Sequence, residues 1–295
     1  MNIEDLRKLV HLTQTQNVHL TAFAFNVTTG ALSKTLKKIE NHLNTPLFDR
    51  VGRHLRLNAN GHKFSLHAND IINRYDVMLS EYISRDAKHW LTIAGPAVLL
   101  DHYLADILPH LANKHIEVNL ETVFEGEAIS RLKKGQIQLA VVTDAAISDW
   151  QAMGLNVITL GVTTFKLVAA TAHGINNVSA PTLATALEAK FVCPSSSPFC
   201  GITRGIGSDG WPDHRYPRNI AFRCDSFASL ISLLKKEPLL AYIPDIALDP
   251  QLSVIELADF SPHNQEVINL VYKPSIAPGW LLELVDKINA LQMQS

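Results

Sequence analysis

The sequence predicts an α/β protein that opens with an all-α, winged helix-turn-helix segment. Three observations carry this expectation. Apolar residues recur at helical spacing in three short runs over the first 45 or so residues, and an Arg-rich alternating stretch comes after them. Residues 64–82 hold apolar side chains at heptad spacing. From Leu91 onward, short apolar strands alternate with helical stretches, as in a parallel sheet covered by helices.

A chain of 295 residues suits two or three domains. The pattern divides it into a helix-turn-helix unit at 1–60, a linker helix at 61–88 and an α/β body at 89–295. The body reads as two Rossmann-like lobes: lobe I, 91–161 with 266–295, and lobe II, 162–265. Hydrophobic residues make up 47% of the chain, enough for a sizeable core. No apolar run reaches the ~18 residues of a membrane span, and no secretory leader is visible at Met1–Asp5. Three cysteines make no disulfide framework. A cytoplasmic protein without membrane contact is expected.

The first helix carries Leu6, Leu9, Val10 and Leu12 on one face. A short second helix runs from about His19 to Phe25. Asn26–Gly30 then breaks the pattern, with Thr28 placed to cap the next helix. The third helix, from Thr29 to Glu40, spaces Leu32, Leu36, Ile39 and Leu43 at 4, 3 and 4. That stripe should pack on the first helix. The other face presents Thr29, Gly30, Ser33, Lys34 and Lys37. Small residues at its start let backbone approach base edges, the hydroxyls exchange hydrogen bonds there, and the lysines reach bases or phosphates. Arg50 to Leu57 alternates around a Gly, so Arg50, Arg53 and Arg56 would sit on a hairpin wing.

Charge agrees with a nucleic-acid partner. Residues 1–65 hold nine Lys/Arg against four Asp/Glu, whereas the rest holds 17 against 24. A basic head on an acidic body is the footprint of a nucleic-acid-binding module joined to something else. The heptad run Phe64, Ala68, Ile71, Tyr75, Met78 and Tyr82 predicts a seam between two chains, because paired heads reach paired half-sites.

Ala31-Leu32-Ser33, Ile39-Glu40, Leu43, Leu47-Phe48-Asp49-Arg50, Arg53, Arg56-Leu57 and Gly61 together resemble the head of the LysR-type transcriptional regulators, in order and spacing. Three positions depart: Thr21-Ala22 replaces paired alanines, Phe23-Ala24 a charged pair, and Asn58 a threonine. In the body, Leu132–Val141 and Ala241-Tyr242-Ile243-Pro244 are similar to the family's effector domain, itself like type 2 periplasmic binding proteins. Lys236–Leu240 departs from the family's Gly-rich segment. The resemblance implies a sequence-specific regulator of double-stranded DNA, controlled by a small-molecule effector, and a homodimer or homotetramer. It places the effector between the lobes, at strand ends and helix starts. Ala97, Val98, Thr143, Ser195, Ser196, Ser197, Phe199, Cys200 and Ser226 then line the cleft.

Two other readings have residues behind them. Peroxide-sensing members of the family carry a reactive cysteine in this region of lobe II. Cys200 matches that place, with Arg204 nearby to stabilise a thiolate and Cys193 as a second thiol. A cytosolic solute-binding protein with an interaction module at its head is the other. Gly205–Gly210 spells G-x-G-x-x-G but runs into Trp211-Pro212 rather than a helix, so no dinucleotide site is expected. The 13 histidines show no metal spacing, and no nucleophile elbow occurs. No enzyme activity, metal or cofactor is expected.

Overall fold

Side-chain caps decide where the helices of the head begin. The computed structural model describes residues 1–51, 54–82, 89–111, 116–147, 150–151, 154–199, 209–261, 264–274, 277 and 279–292. Helix α1 (Ile3–Thr15) starts at Asn2, whose side chain accepts from the Asp5 N–H at 2.7 Å. Helix α2 (Val18–Ala24) starts at Asn17 and α3 (Thr29–Leu43) at Thr28, whose Oγ1 accepts from the Ala31 N–H at 3.1 Å. Each cap satisfies a helix-start donor that would otherwise need water. Leu9, Leu12, Ala22, Leu32, Ile39, Leu47 and Phe48 bury one another between the helices. Leu43 departs from expectation: it is 40% exposed. The helix ends there at the left-handed Asn44, and Leu47, past that turn, is the buried residue.

Strands β1 (Phe48–Val51) and β2 (His54–Leu57) pair antiparallel, with Val51 opposite His54. Helix α4 (Ala59–Tyr82) comes next. Asn58 takes the role of the expected threonine, its Oδ1 accepting from the Gly61 N–H at 2.9 Å. Gly61 has no room for a side chain, since a Cβ would fall 2.2 Å from the Leu47 carbonyl oxygen.

The heptad stripe of α4 divides between two uses. Ala68 is buried with Leu6, Val10 and Ile72, and Phe64 packs against both this cluster and the head core. These two residues were expected in a seam between chains and are instead covered within the chain, because α1 lies along the first half of α4. Ile71 and Met78, a heptad apart and 48% and 46% exposed, remain open; Tyr75 is half-buried. The Tyr82 side chain lies outside the described residues.

The body is built on β3 (His89–Gly95), α5 (Ala97–Ile107), β4 (Ile116–Thr122), α6 (Glu125–Lys133), β5 (Leu139–Thr143), β6 (Asn156–Ala170), α7 (Leu183–Glu188), β7 (Lys190–Pro194), β8 (Asn219–Cys224), α8 (Phe227–Lys236), β9 (Leu239–Pro244), β10 (Leu252–Val254), β11 (Gln265–Tyr272) and α9 (Gly279–Gln292). The described strands run in the order β4-β3-β5-β11-β6-β9-β7-β8, with β10 also on β6. The sheet is mixed rather than parallel. β3 is parallel to β4 and β5, and β7 to β8 and β9. β11 and β6 run antiparallel to their neighbours.

The antiparallel pair is what joins the halves. β6 is one strand of 15 residues, pairing with β11 over Asn156–Thr164 and with β9 over Phe165–Ala169. It therefore runs unbroken through position 162, where a second lobe was expected to begin. The register of β11 shifts at Ile268/Asn269, opposite Gly161 and Thr159. Gly161 lies under Tyr103 of α5: a Cβ there would come 2.9 Å from the Tyr103 hydroxyl. β5 and β9 are buried along their whole length, as strands covered on both faces must be.

Candidate functional site

In the head, the start and outer face of α3 are open. Thr28, Gly30, Ser33, Lys34 and Lys37 are exposed, and Thr29 is half-buried at the helix start. The nearest foreign atom to a Cβ built on Gly30 is Thr28 Oγ1 at 4.0 Å, so nothing obstructs the approach of a partner. Lys38, one residue on, is tied to Asp5 at 3.2 Å. On the hairpin, Arg56 sits across from Asp49. The Arg50 side chain and the whole of Arg53 lie outside the described residues. An open helix start with hydroxyls and two lysines can lie in a major groove and donate to bases and phosphates.

One departure in α2 is structural. Thr21, in place of alanine, is fully buried. Its hydroxyl lies 3.0 Å from His11 Nδ1 and 2.9 Å from Thr15 Oγ1, so the added polar group is satisfied where it is buried. Phe23, in place of a charged residue, is 87% exposed.

In the body, a cleft of about 1280 Å³ opens between the two halves. The starts of α5, α6 and α8 reach it through Ala97 and Val98, Phe124 and Glu127, and Ser226 and Phe227. Of the expected residues, Ala97, Val98, Ser196, Ser197 and Ser226 line it. Three do not. Thr143 is fully buried and gives its N–H to the Glu125 carboxylate. Ser195 is turned to solvent with its N–H on the Cys224 carbonyl at 2.8 Å. Phe199 is buried edge-on against Phe165, ring centroids 5.6 Å apart. Thr143 ends a strand and the other two come after one, and the local backbone carries all three away from the cavity. Cys200 lies outside the described residues.

Most of the charged lining was not anticipated from the sequence. Asp101 and His102 line the cleft one turn after Ala97 and Val98; their i, i+4 spacing was the signal that could have found them. Asp225 and Lys236 line it from the other half, and Lys235 is held by Asp249 at 2.6 Å. Glu127 lies 3.9 Å from Arg131, which also pairs with Glu121. Ser226 caps α8 weakly, accepting from the Ser229 N–H at 3.4 Å. The cavity therefore offers helix-start donors, hydroxyls and both signs of charge, which suits a small polar molecule.

In the second half of the body lies a largely buried polar cluster. Arg218 binds Asp209 at 2.7 Å and Asp213 at 2.7 Å. It also lies over the rings of Phe191 and Trp211, at 5.5 and 5.3 Å. Burial opposes its charge, and hydrogen bonds to Asp213 and Asp209 outweigh burial to hold its pKa above the usual arginine range. Cys193, expected as a second redox thiol, is fully buried beside it. Burial first, and then the Asp209 charge, push its thiol up to about 12. A thiol so sealed and so poorly ionised is packing, not a sensor. Asp209 and Gly210 close the G-x-G-x-x-G stretch. Asp209 is spent on Arg218, and residues 205–208 lie outside the described ones.

Among the described residues no cluster of His, Cys, Asp and Glu could hold a metal. Among them, too, no helix is long and apolar enough to cross a membrane.

Comparison with known proteins places both parts of the chain. The family described as "Bacterial regulatory helix-turn-helix protein, lysR family" matches residues 3–62, and "LysR substrate binding domain" matches residues 84–289. The "Uncharacterized HTH-type transcriptional regulator YybE" of Bacillus subtilis is 38% identical over 82 residues, 28% of this chain and 26% of that protein. The "HTH-type transcriptional regulator DgdR" of Burkholderia cepacia is 23% identical over 145 residues, 48% of this chain and 49% of that one. The chain thus spans between about a quarter and about half of the length of these curated relatives. ArgP from Mycobacterium tuberculosis shares the fold with a TM-score of 0.70 at 15% identity, over 98% of this chain and 96% of that one.

Proposed function

The chain belongs to the LysR family of bacterial helix-turn-helix regulators, and we propose on that footing that it is a cytoplasmic, sequence-specific transcriptional regulator of double-stranded DNA whose activity is set by a small molecule in the interlobe cleft. The observation that carries the reading is the open face of α3. Ser33, Lys34 and Lys37 lie behind an unobstructed, Thr28-capped helix start. Residues 1–60 are the DNA-binding domain, with Thr28, Thr29 and Gly30 at the groove and Arg50, Arg53 and Arg56 forming a wing on the backbone. Residues 61–88 are the linker. Its open residues Ile71 and Met78, with the half-buried Tyr75 between them, join two chains, so that paired heads meet spaced half-sites; pairs of such dimers make a tetramer. Residues 89–295 bind the effector, through Ala97, Val98, Ser196, Ser197 and Ser226. The effector works through its different affinity for two arrangements of these parts.

The test is DNA affinity measured across a range of salt concentrations. On random-sequence duplex DNA, Lys34→Ala and Lys37→Ala should each weaken binding and lower the salt slope by about one. On DNA enriched by selection for tight binding, Ser33→Ala should narrow the gap between preferred and random sequence. Unchanged affinity and slope in all three variants removes α3 as the reading helix. Native mass spectrometry of protein purified from cells would identify a molecule carried in the cleft.

A further inference from the structure

Helix α6 begins in the cleft and ends against the linker helix. At its start, Phe124 and Glu127 line the cavity, and the buried Glu125 carboxylate accepts from the N–H of Thr143, fastening the first turn to the end of β5. The helix is nine residues long, about 13 Å at the α-helical rise, and the chain turns just past it at Gly135 with φ at +68°. Two carbonyl groups at this end are taken by side chains from elsewhere. The Lys273 ammonium, just past β11, donates to the Lys133 carbonyl at 3.3 Å and to Asp70 of α4 at 3.0 Å. Asn73, one turn along α4 from Asp70, donates to the Gly135 carbonyl at 3.2 Å.

A lysine at a helix C-terminus satisfies a free carbonyl and the negative end of the helix dipole. Here that lysine also holds a carboxylate on a different module. We propose that α6 is the element through which the cleft acts on the linker helix, and that Lys273, Asp70 and Asn73 form the latch at its far end. The proposal rests on the cleft being the effector site.

Packing lets α6 act as a rigid body. Ala128, Ile129 and Leu132 are buried with Ala140 and Val142 of β5 and Val271 of β11, and close-packed elements move as units. β11 leads straight into Lys273, so the strand and the helix that share this core converge on one junction. Elsewhere on α4, Arg7 of α1 pairs with Asp76, and Ala68 and Ile72 pack on α1. The stretch of α4 held by the latch is therefore the stretch that holds the head. A ligand that draws on Glu127, at the cleft end of α6, pulls on the helix as a whole. Lys273, with one ammonium between a carbonyl of α6 and a carboxylate of α4, registers that pull as a change in how firmly α4 is held.

Hydrogen exchange in the 295-residue chain tests this without DNA or ligand. Glu127→Lys faces Arg131 with a like charge and disturbs the cleft end of α6. In the wild-type background it should change exchange of α4 amides 69–76 by about threefold or more. In a Lys273→Met/Asn73→Ala background the same substitution should leave those amides unmoved, although α6 itself still responds. Lys273→Arg, which keeps donors for both the Lys133 carbonyl and the Asp70 carboxylate, should retain the coupling. A response in α4 of equal size with and without the latch, or none when α6 responds, overturns the proposal. Because no DNA enters the measurement, its failure is separate from failure of the DNA-binding reading, which the Lys34 and Lys37 variants decide.

Discussion

In the head, Lys34 and Lys37 stand on the outer face of α3, whereas in the second half of the body Arg218, its side chain 1% exposed, is held by two aspartates under two aromatic rings. Both are cations on ordered backbone, and their surroundings assign them opposite work. A cation meant for a polyanion must keep a hydration shell it can exchange and no neighbour that satisfies it first; its worth appears on binding and falls with salt. A cation in a core has lost its water and stands only if every donor is matched. Partnering, more than charge, separates the surface that binds from the scaffold that holds.

The largest test of that contrast is Arg218→Met. It leaves Asp209 buried without its partner, and breaking one side of a buried pair costs roughly 3–5 kcal/mol. Chemical denaturation should show a loss of about that size, while Lys34→Ala should stay within about 0.5 kcal/mol of wild type. Replacing the cluster together, as Arg218→Met/Asp209→Leu, should recover part of the loss. A small cost for Arg218→Met alone would mean the buried pair is not what holds this half together.

Next in size is the alkaline limb set by Cys193. Its folded pKa of about 12 lies above the unfolded value near 9, so the folded state favours the protonated thiol. The stability it contributes is whole below pH 9 and is lost as pH rises toward 12, at up to about 1.4 kcal/mol per pH unit. Cys193→Ala should lose less stability than wild type as pH rises from about 9 to about 11. In the native protein near neutral pH, a thiol reagent should leave Cys193 unlabelled until the chain unfolds.

How far each region could be read beforehand follows the same division. The head's site is one stretch of chain: Thr28 to Lys37 shows its cap, apolar stripe and open face together, since helix geometry alone decides which side chains share a side. The cleft is assembled from segments more than a hundred residues apart, and helix and strand periods give direction only within an element. Ala97, Val98 and Ser226 were legible because a helix start after a strand points at the cleft. Thr143 and Ser195 were misread because their backbone N–H groups are taken up by Glu125 and Cys224, partners invisible in the local pattern. The mixed sheet was missed for a like reason: the return through β11 and the length of β6 depend on partners distant in sequence. The division of α4's heptad stripe between α1 and an open face could not be seen either, because one apolar repeat serves both uses.

Thr28→Ala sharpens the comparison at smaller scale. The Thr28 hydroxyl satisfies the Ala31 N–H at 3.1 Å, and losing an N-cap costs about 1 kcal/mol. Thermal unfolding should show a modest drop. DNA affinity should fall too, because the groove-facing start of α3 frays. Ser226→Ala, at a cap with a 3.4 Å bond, should cost less, and it should change ligand response more than stability.

The smallest effect is the most discriminating. Lys38 neighbours Lys37 on α3 and carries the same charge, yet its ammonium is occupied 3.2 Å from Asp5 of α1. Exposed on the lysine side, the pair contributes at most about 1 kcal/mol and is screened by salt. Lys38→Ala should therefore cost little stability, measured by denaturation at low and high salt, with the difference shrinking as salt rises. On random-sequence DNA it should weaken binding clearly less than Lys37→Ala, although the two substitutions remove identical charge from adjacent positions. Asp5→Asn releases Lys38, and in that background Lys38→Ala should regain a measurable effect on DNA affinity and on its salt slope. If Lys38→Ala matches Lys37→Ala in the wild-type protein, net charge governs the head, and an existing partner does not withhold a cation from DNA.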